Sequence, residues 1–323
     1  MEVKLRWLLL TAIAPIAWGS TYFVTREFLP AGSPLWGSVI RALPAGILLL
    51  LIRPRLPHGS WWWKSFVLGA LNMSGFFTLV YVAAQLLPTT IASTIMATSP
   101  VALTAFAWVL LAQRPVALSL IGAGLGVVGV VALLATGASE VNLLGVLASV
   151  AALTLSSLGY ILATRWATPA VTVLSSTAWQ LIAGGIILIP FAALFEPLPA
   201  APTGSEIIAF AYISIVATAL AFVAWFTGLR RMDAGDVGLI GLLNPVTGVL
   251  LGTVIASEAL TLQQVLGLAI IAVGIVLGQP TIRAGLLRWR EAARTSRSRS
   301  GHARPGSSVR RGPSRRAAPR AEP

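Results

Sequence analysis

The sequence predicts an all-α integral membrane protein, ten transmembrane helices arranged as two inverted five-helix repeats. Three observations carry this. The chain is 56% hydrophobic and only 10% charged, with a mean hydropathy of +0.85, against about 25% charge in an ordinary soluble domain. Its apolar residues fall into ten long runs. Its cations alternate between the connections in step with those runs.

A helix crossing the hydrocarbon needs about 20 apolar residues. The runs span residues 7–25, 34–52, 66–87, 91–112, 118–136, 143–164, 172–194, 206–229, 235–256 and 261–279. The connections are short and marked by Pro or charge: Arg53, Pro54 and Arg55; Pro88; Arg114 with Pro115; Glu140; Glu196 with Pro197; Arg230 with Arg231; and Glu258. Eleven Trp and 20 Pro suit this class, because Trp marks interfaces and membrane helices tolerate Pro. Lys4 and Arg6 before the first run also fit a signal peptide, but the apolar stretch outruns the usual 7–15 residues of such a segment.

Cytoplasmic connections of membrane proteins are enriched in Lys and Arg. With the N-terminus inside, 21 of the 23 basic residues fall on the inner side, twelve of them in the tail at 281–323. The exceptions are Arg26, at the outer end of the first run, and Arg41, within the second. Glu27, Glu140, Glu196, Glu206 and Glu258 fall outside. The expected location is the cell inner (plasma) membrane, multi-pass, with both termini cytoplasmic.

The chain also repeats itself. At an offset of 145 residues, "TSPVALTAF" from Thr98 faces "LNPVTGVLL" from Leu243, Gly122 matches Gly267, and Gly129 matches Gly274. Earlier in the chain the offset is 139, matching Thr25 and Arg26 to Thr164 and Arg165, and Gly46 to Gly185. A longer connection before the eighth run accounts for the difference. Repeats of an odd number of spans lie inverted in the membrane, the architecture of secondary transporters, whose sites lie near the midplane between the repeats. The organisation read from this is a first repeat over 1–136, a second over 137–280, and a basic cytoplasmic tail over 281–323.

Four stretches carry a resemblance: "AWGSTYFVTRE" (17–27), "IRALPAG" (40–46), "YVAAQLLPTTIASTIMATSPV" (81–101) and "LLNPVTGVLLGTVIASEALTLQQVLGLAIIAVGIVLG" (242–278). In these the chain resembles the ten-helix EamA-type permeases of the drug/metabolite transporter superfamily. The resemblance covers residues 5–278. It implies export of small metabolites, often amino acids or amphipathic compounds, without fixing the substrate. One departure is Gln113, followed by Arg114, where the family often has a Glu after its fourth helix.

Polar groups within spans are costly and tend to face the bundle interior. Arg41 lies seven residues in from Pro34, about 10 Å along a helix axis. Three roles are open to it: a snorkelling anchor at the outer headgroups, a cation facing an outward cavity and a substrate carboxylate or phosphate, or a structural pair with Glu27 or with backbone carbonyls. Its counterpart in the second repeat is the neutral Gln180. Trp18, Thr21 and Tyr22 cluster in the first run, and Asn72, Tyr81, Tyr160, Trp179, Gln180, Trp225 and Asn244 are further candidates for an amphipathic, aromatic-walled substrate cavity. Packing and interfacial roles are the plainer reading of each alone. Pro100 and Pro245 stand within the fourth and ninth runs, as packing kinks or as gate hinges, each freeing a carbonyl four residues earlier. Glycines spaced four apart, among them Gly122 with Gly126 and Gly274 with Gly278, are close-packing faces and suggest a homodimer through the fifth and tenth helices.

There is no cysteine, hence no disulfide framework or thiol chemistry. No phosphate-binding G-x-x-x-x-G-K-[ST] loop, G-x-S-x-G elbow or H-E-x-x-H is present, and the only histidines are His58 and His302. Neither an enzyme nor a metal site is expected, and no cofactor. No acid or histidine lies deep in a span, so facilitated transport, exchange and proton antiport all remain open. The Arg-, Ser- and Pro-rich tail reads as disordered and placed to touch anionic lipid. It lacks aromatic stacking platforms, and no nucleic-acid partner is expected. The sequence thus points to a secondary transporter of a small-molecule substrate across a lipid bilayer by alternating access, with efflux the expected direction. A channel-like facilitator is the first alternative and a membrane-embedded enzyme a distant second.

Overall fold

The computed structural model describes residues 2–96, 98–112, 117–134, 142–231, 240–241, 243–257 and 259–278. All regular structure among them is helical. In chain order the helices are α1 (Glu2–Phe28), α2 (Pro34–Ile52), α3 (Trp61–Leu86), α4 (Thr89–Met96), α5 (Ser99–Leu111), α6 (Ala117–Leu134), α7 (Leu143–Arg165), α8 (Val173–Phe195), α9 (Gly204–Arg231), α10 (Leu243–Ile255) and α11 (Leu262–Gly278). Gln113, Arg114, Glu258 and the 281–323 tail lie outside the described residues.

The molecule is apolar outside and polar within. Leu51 is 74% exposed, and Val109 and Leu194 are 77% exposed, whereas Thr21, Ser38, Asn72, Gln180 and Thr218 are buried. Such a surface is stable only against an apolar solvent. Among the described residues, six helical stretches are long and apolar enough to cross a membrane: Arg6–Phe28 within α1, α2, α3, α7, α8 and Gly204–Gly228 within α9. The chain is a multi-pass membrane protein.

Local chemistry sets the helix ends. Pro34 opens α2 at a position where its missing N–H costs nothing. The Glu196 carboxylate accepts from the Leu35 and Trp36 amides at 2.8 and 3.0 Å, an anion against a helix N-terminus. Thr203 and Glu206 form a reciprocal capping box on α9. Asn142 and Thr172 cap α7 and α8 through their side chains.

Prolines and widened turns free backbone groups that other helices then use. Pro44, inside α2, removes the donor for the Ile40 carbonyl. The Ser214 hydroxyl of α9 donates to that carbonyl instead, at 2.9 Å. Wide, π-type turns occupy Ala70–Gly75 in α3, Tyr212–Leu220 in α9 and Leu251–Ile255 in α10.

One expectation about prolines needs correction. The fourth run is two helices, α4 and α5, with Thr98 in the turn between them. Pro100 therefore sits in the first turn of α5, where no amide donor is needed, and does not kink a helix interior. Pro245 lies in the helical stretch Leu243–Leu250, and Leu242 before it lies outside the described residues.

Residues up to Arg283 form one compact unit. The helices interlock across the chain's midpoint: α1 packs on α9 and α10, α7 on α3, α4 and α5, α2 on α8, and α6 on α11. Glycines make the closest approaches. A Cβ on Gly46 would meet Leu181 and Ile182, and one on Gly185 would meet Leu43. Residues 43 and 182, like 46 and 185, stand 139 apart. A Cβ on Gly129 would meet Gly267 and Ile271, and one on Gly274 would meet Gly122 and Gly126, a reciprocity at the offset of 145. The small-residue faces of α6 and α11 are thus buried on each other within one chain. A homodimer through these helices has to use other faces.

Contacts between loops and helix ends gather at two opposite ends. At one, Arg26 donates to the Leu87 carbonyl and Glu196 caps α2. At the other, Arg165 donates to the Leu110 carbonyl, Trp179 to the Arg55 carbonyl, and Arg231 lies over Trp7.

Candidate functional site

Arg41 is only 6% exposed. Its Nε donates to the Thr218 hydroxyl at 2.8 Å, and a terminal nitrogen reaches the Ala217 carbonyl at 3.5 Å. The guanidinium carbon lies 4.0 Å from the centre of the Phe77 ring. The wide turn in α9 presents the Ala217 carbonyl, which also accepts from the Trp18 indole at 3.1 Å. Arg41 therefore does not snorkel to headgroups. Nor does it pair with Glu27, which lies beside Arg26 at 3.9 Å. Among the described residues it has no carboxylate partner.

Arg41 lines a small recess, with room for about one water molecule, together with Thr25, Leu29, Gly37, Ser38, Phe77, Tyr81 and Ile213. The pocket lies toward the end of the bundle marked by Arg26 and Glu196. Tyr81 closes part of its rim, donating from its phenol to the Pro30 carbonyl at 2.7 Å, with its ring against Gly37, where any Cβ would collide with it.

Aromatic rings adjoin the cation from several helices. Trp18 lies 5.2 Å from Phe222 and 5.3 Å from Trp225. Phe77 and Phe222 are 6.2 Å apart, Phe222 and Phe226 6.0 Å, and Phe226 meets Tyr160 edge-on at 5.9 Å. The phenols of Tyr22 and Tyr160 both lie within coulombic range of Arg41. The structure thus brings Trp18, Tyr22, Arg41, Tyr81, Tyr160 and Trp225 to one connected region. A fixed cation with no acid of its own, beside polarisable rings, can hold an anionic group attached to an apolar or aromatic body.

Other expected site residues lie elsewhere or are already satisfied. The Thr21 hydroxyl donates to the Ala17 carbonyl of its own helix at 3.0 Å. Trp179 is a correction: its indole donates to the Arg55 carbonyl at 2.6 Å, at the far end of α2 from Arg41, in a packed cluster with Trp61, Leu68 and Val171. Its polar edge is used to hold a loop. Asn72 and Gln180 bond to each other, Nδ2 to Oε1 at 2.9 Å, and away from the pocket. Asn244 presents its backbone carbonyl to Gly19, and its Oδ1 is buried without a partner. Pro245 lines no part of the pocket.

Sequence reasoning missed Phe77, Phe222, Phe226 and Thr218. One signal was available: Phe77 and Phe222 stand 145 apart, the offset of the glycine matches. Nothing in the sequence marks Thr218 among the other hydroxyls of its helix.

Comparison with known proteins places these observations in context. The family model described as the EamA-like transporter family matches the chain twice, over residues 5–135 and 143–278. Protein PecM of Dickeya dadantii is 36% identical over 267 residues, covering 82% of this chain and 90% of its own. The inner membrane transporter YedA of Escherichia coli K12 is 29% identical, covering 81% and 87%. The transporter YvbV of Bacillus subtilis is 27% identical, covering 85% and 92%. A solved crystal structure of a protein superposes with a TM-score of 0.65 at 24% identity, over 86% of this chain and 98% of the other, a likeness of fold.

Proposed function

From the premise that the chain belongs to the EamA-like transporter family, we propose that this membrane transporter exports small organic solutes bearing an anionic group, amino acids or amphipathic metabolites, by alternating access across the inner membrane. The observation that carries the reading is Arg41, a buried cation without an acidic partner among the described residues, at a pocket bounded by aromatic rings.

In this reading ten spans form two inverted five-helix halves, 1–136 and 137–280, with both termini cytoplasmic. The reciprocal glycine contacts at matched offsets and the twofold family match support the halves. The alternation of basic connections supports the orientation. The pocket near Arg41 then opens outward, and the end holding Arg55 and Trp179 faces the cytoplasm.

The test is a metabolite-wide comparison of culture medium from overexpressing and deletion cells, followed by counterflow in proteoliposomes with the enriched compound. A carrier shows trans-stimulation by solute on the far side. A flux insensitive to trans solute would replace the carrier by a channel-like facilitator. Medium composition identical in the two strains would reject export.

A further inference from the structure

The Arg41 contact has a counterpart at the same offsets. Arg41 corresponds to Gln180 at 139, and Ala217, which Arg41 touches, corresponds to Asn72 at 145. Gln180 bonds Asn72. The helix turns match as well, since the wide turn Ala70–Gly75 maps into Tyr212–Leu220. Phe77 and Phe222, themselves counterparts, face each other between the two contacts. Arg41 lies seven residues from the first residue of α2, and Gln180 seven residues from that of α8. Asn72 lies five residues before Phe77 in α3, about 7.5 Å further along the helix away from the pocket.

The two contacts differ in one respect. Both contacts are buried, with Arg41 6%, Ala217 0%, Asn72 0% and Gln180 2% exposed, but the Arg41 side borders a small pocket that neither amide lines. Gln180 spends its own donor on the Ser176 carbonyl at 3.0 Å. The Asn72 Oδ1 has no hydrogen-bond partner. It is aimed at Gly159, where a side chain would collide with it. A fully buried acceptor without a donor needs an explanation, and a donor group carried in by a solute supplies one. In a carrier built of inverted halves, exchange of their conformations opens on one side what the other side closes.

We propose that Asn72, Gln180 and Gly159 form an inner-facing polar subsite of the transport path, closed in this conformation, whose Asn72 Oδ1 accepts a hydrogen bond from an ammonium, N–H or hydroxyl group of the solute. The subsite rests on the carrier reading above. It divides recognition between the two faces: Arg41 attracts the anionic group from the outer side, and the amide pair receives a donor group from the cytoplasm.

Because the native chain has no cysteine, single thiols report accessibility without background. Full-length Ser38→Cys and Gln180→Cys are made in right-side-out and inverted membrane vesicles. Each is treated with membrane-impermeant methanethiosulfonates, one carrying a sulfonate and one a trimethylammonium group. Ser38→Cys is expected to react only from the outer side and to prefer the anionic reagent. Gln180→Cys is expected to react only from the inner side and to prefer the cationic reagent. The ratio of anionic to cationic rates differs by about tenfold between the two positions, as a nearby unpaired charge predicts. Asn72→Cys carries the same sidedness expectation should Gln180→Cys not accumulate in the membrane. Outer-side labelling of Gln180→Cys, or none from either side, with Ser38→Cys labelled as expected, overturns the subsite and leaves the outer pocket standing. An anionic preference at Gln180→Cys overturns its assigned chemistry. Failure of Ser38→Cys to react from the outer side overturns the carrier reading beneath both.

Discussion

Replacing Arg41 by Gln, the residue its counterpart already carries, separates a recognition role from a structural one. On the stabilising side stand a cation–π contact at 4.0 Å and a charge-assisted hydrogen bond at 2.8 Å, worth about 2 kcal/mol and about 1.5–3 kcal/mol. Against them stands the cost of a cation within the membrane, about 2.5–3.5 kcal/mol on insertion scales. The balance runs from about zero to about 2.5 kcal/mol in favour of the fold, so Arg41→Gln lowers the thermal midpoint of purified protein by at most about 10 °C, at about 2–4 °C per kcal/mol. Transport responds differently. Loss of a charged hydrogen bond to a carboxylate costs about 1.5–3 kcal/mol, a ten- to hundredfold fall in apparent affinity for an anionic solute. The assay is counterflow in proteoliposomes with an anionic substrate and its neutral amide, beside thermal unfolding of the same preparation. The anion should lose at least tenfold more than the amide. Equal losses refute the anion role, and a collapse in thermal stability shows that Arg41 is held in place for the fold.

Four further outcomes follow from the packing. Gly129→Ala, whose new Cβ meets Ile271 and Gly267, destabilises by about 1–3 kcal/mol, while Gly124→Ala, with open space around it, is neutral or slightly stabilising in the same thermal assay. Ser214→Ala strips the Ile40 carbonyl of its donor and costs about 1–3 kcal/mol; adding Pro44→Ala restores a backbone donor, and a double-mutant cycle shows favourable coupling of about 1 kcal/mol. Glu196→Gln weakens the cap on α2 and lowers stability by about 1–2 kcal/mol, measured by thermal unfolding. Trp179→Phe loses the bond to the Arg55 carbonyl and about 1 kcal/mol of stability, with solute preference in counterflow unchanged.

Much of this architecture is legible from the sequence because it rests on spacing. The glycine matches at 139 and 145 reappear as reciprocal close approaches, since only a glycine lets two helix backbones come so near. Arg41 stands out because a charge in an apolar run is rare. What cannot be read is which helix face meets which. Phe77 and Phe222 are ordinary apolar residues until long-range packing sets them beside a guanidinium. The wide turns have no composition of their own, since they arise where one helix must reposition against another. Trp179 shows the reverse error: a tryptophan near a polar neighbour suggests a cavity, and here its indole anchors the loop after α2. Pro100 suggests a kink, and the chain instead breaks before it and restarts.

The glycine-lined contact between α6 and α11 joins helices of which no described residue lines the Arg41 pocket. They serve as a strut, and a strut tolerates being welded. Under the carrier reading proposed above, a disulfide engineered between α6 and α11 is expected to leave turnover intact, whereas one tying α2 to α9 beside Arg41 is expected to stop it. Pairs of introduced cysteines therefore turn a packing pattern into a map of which joints must move.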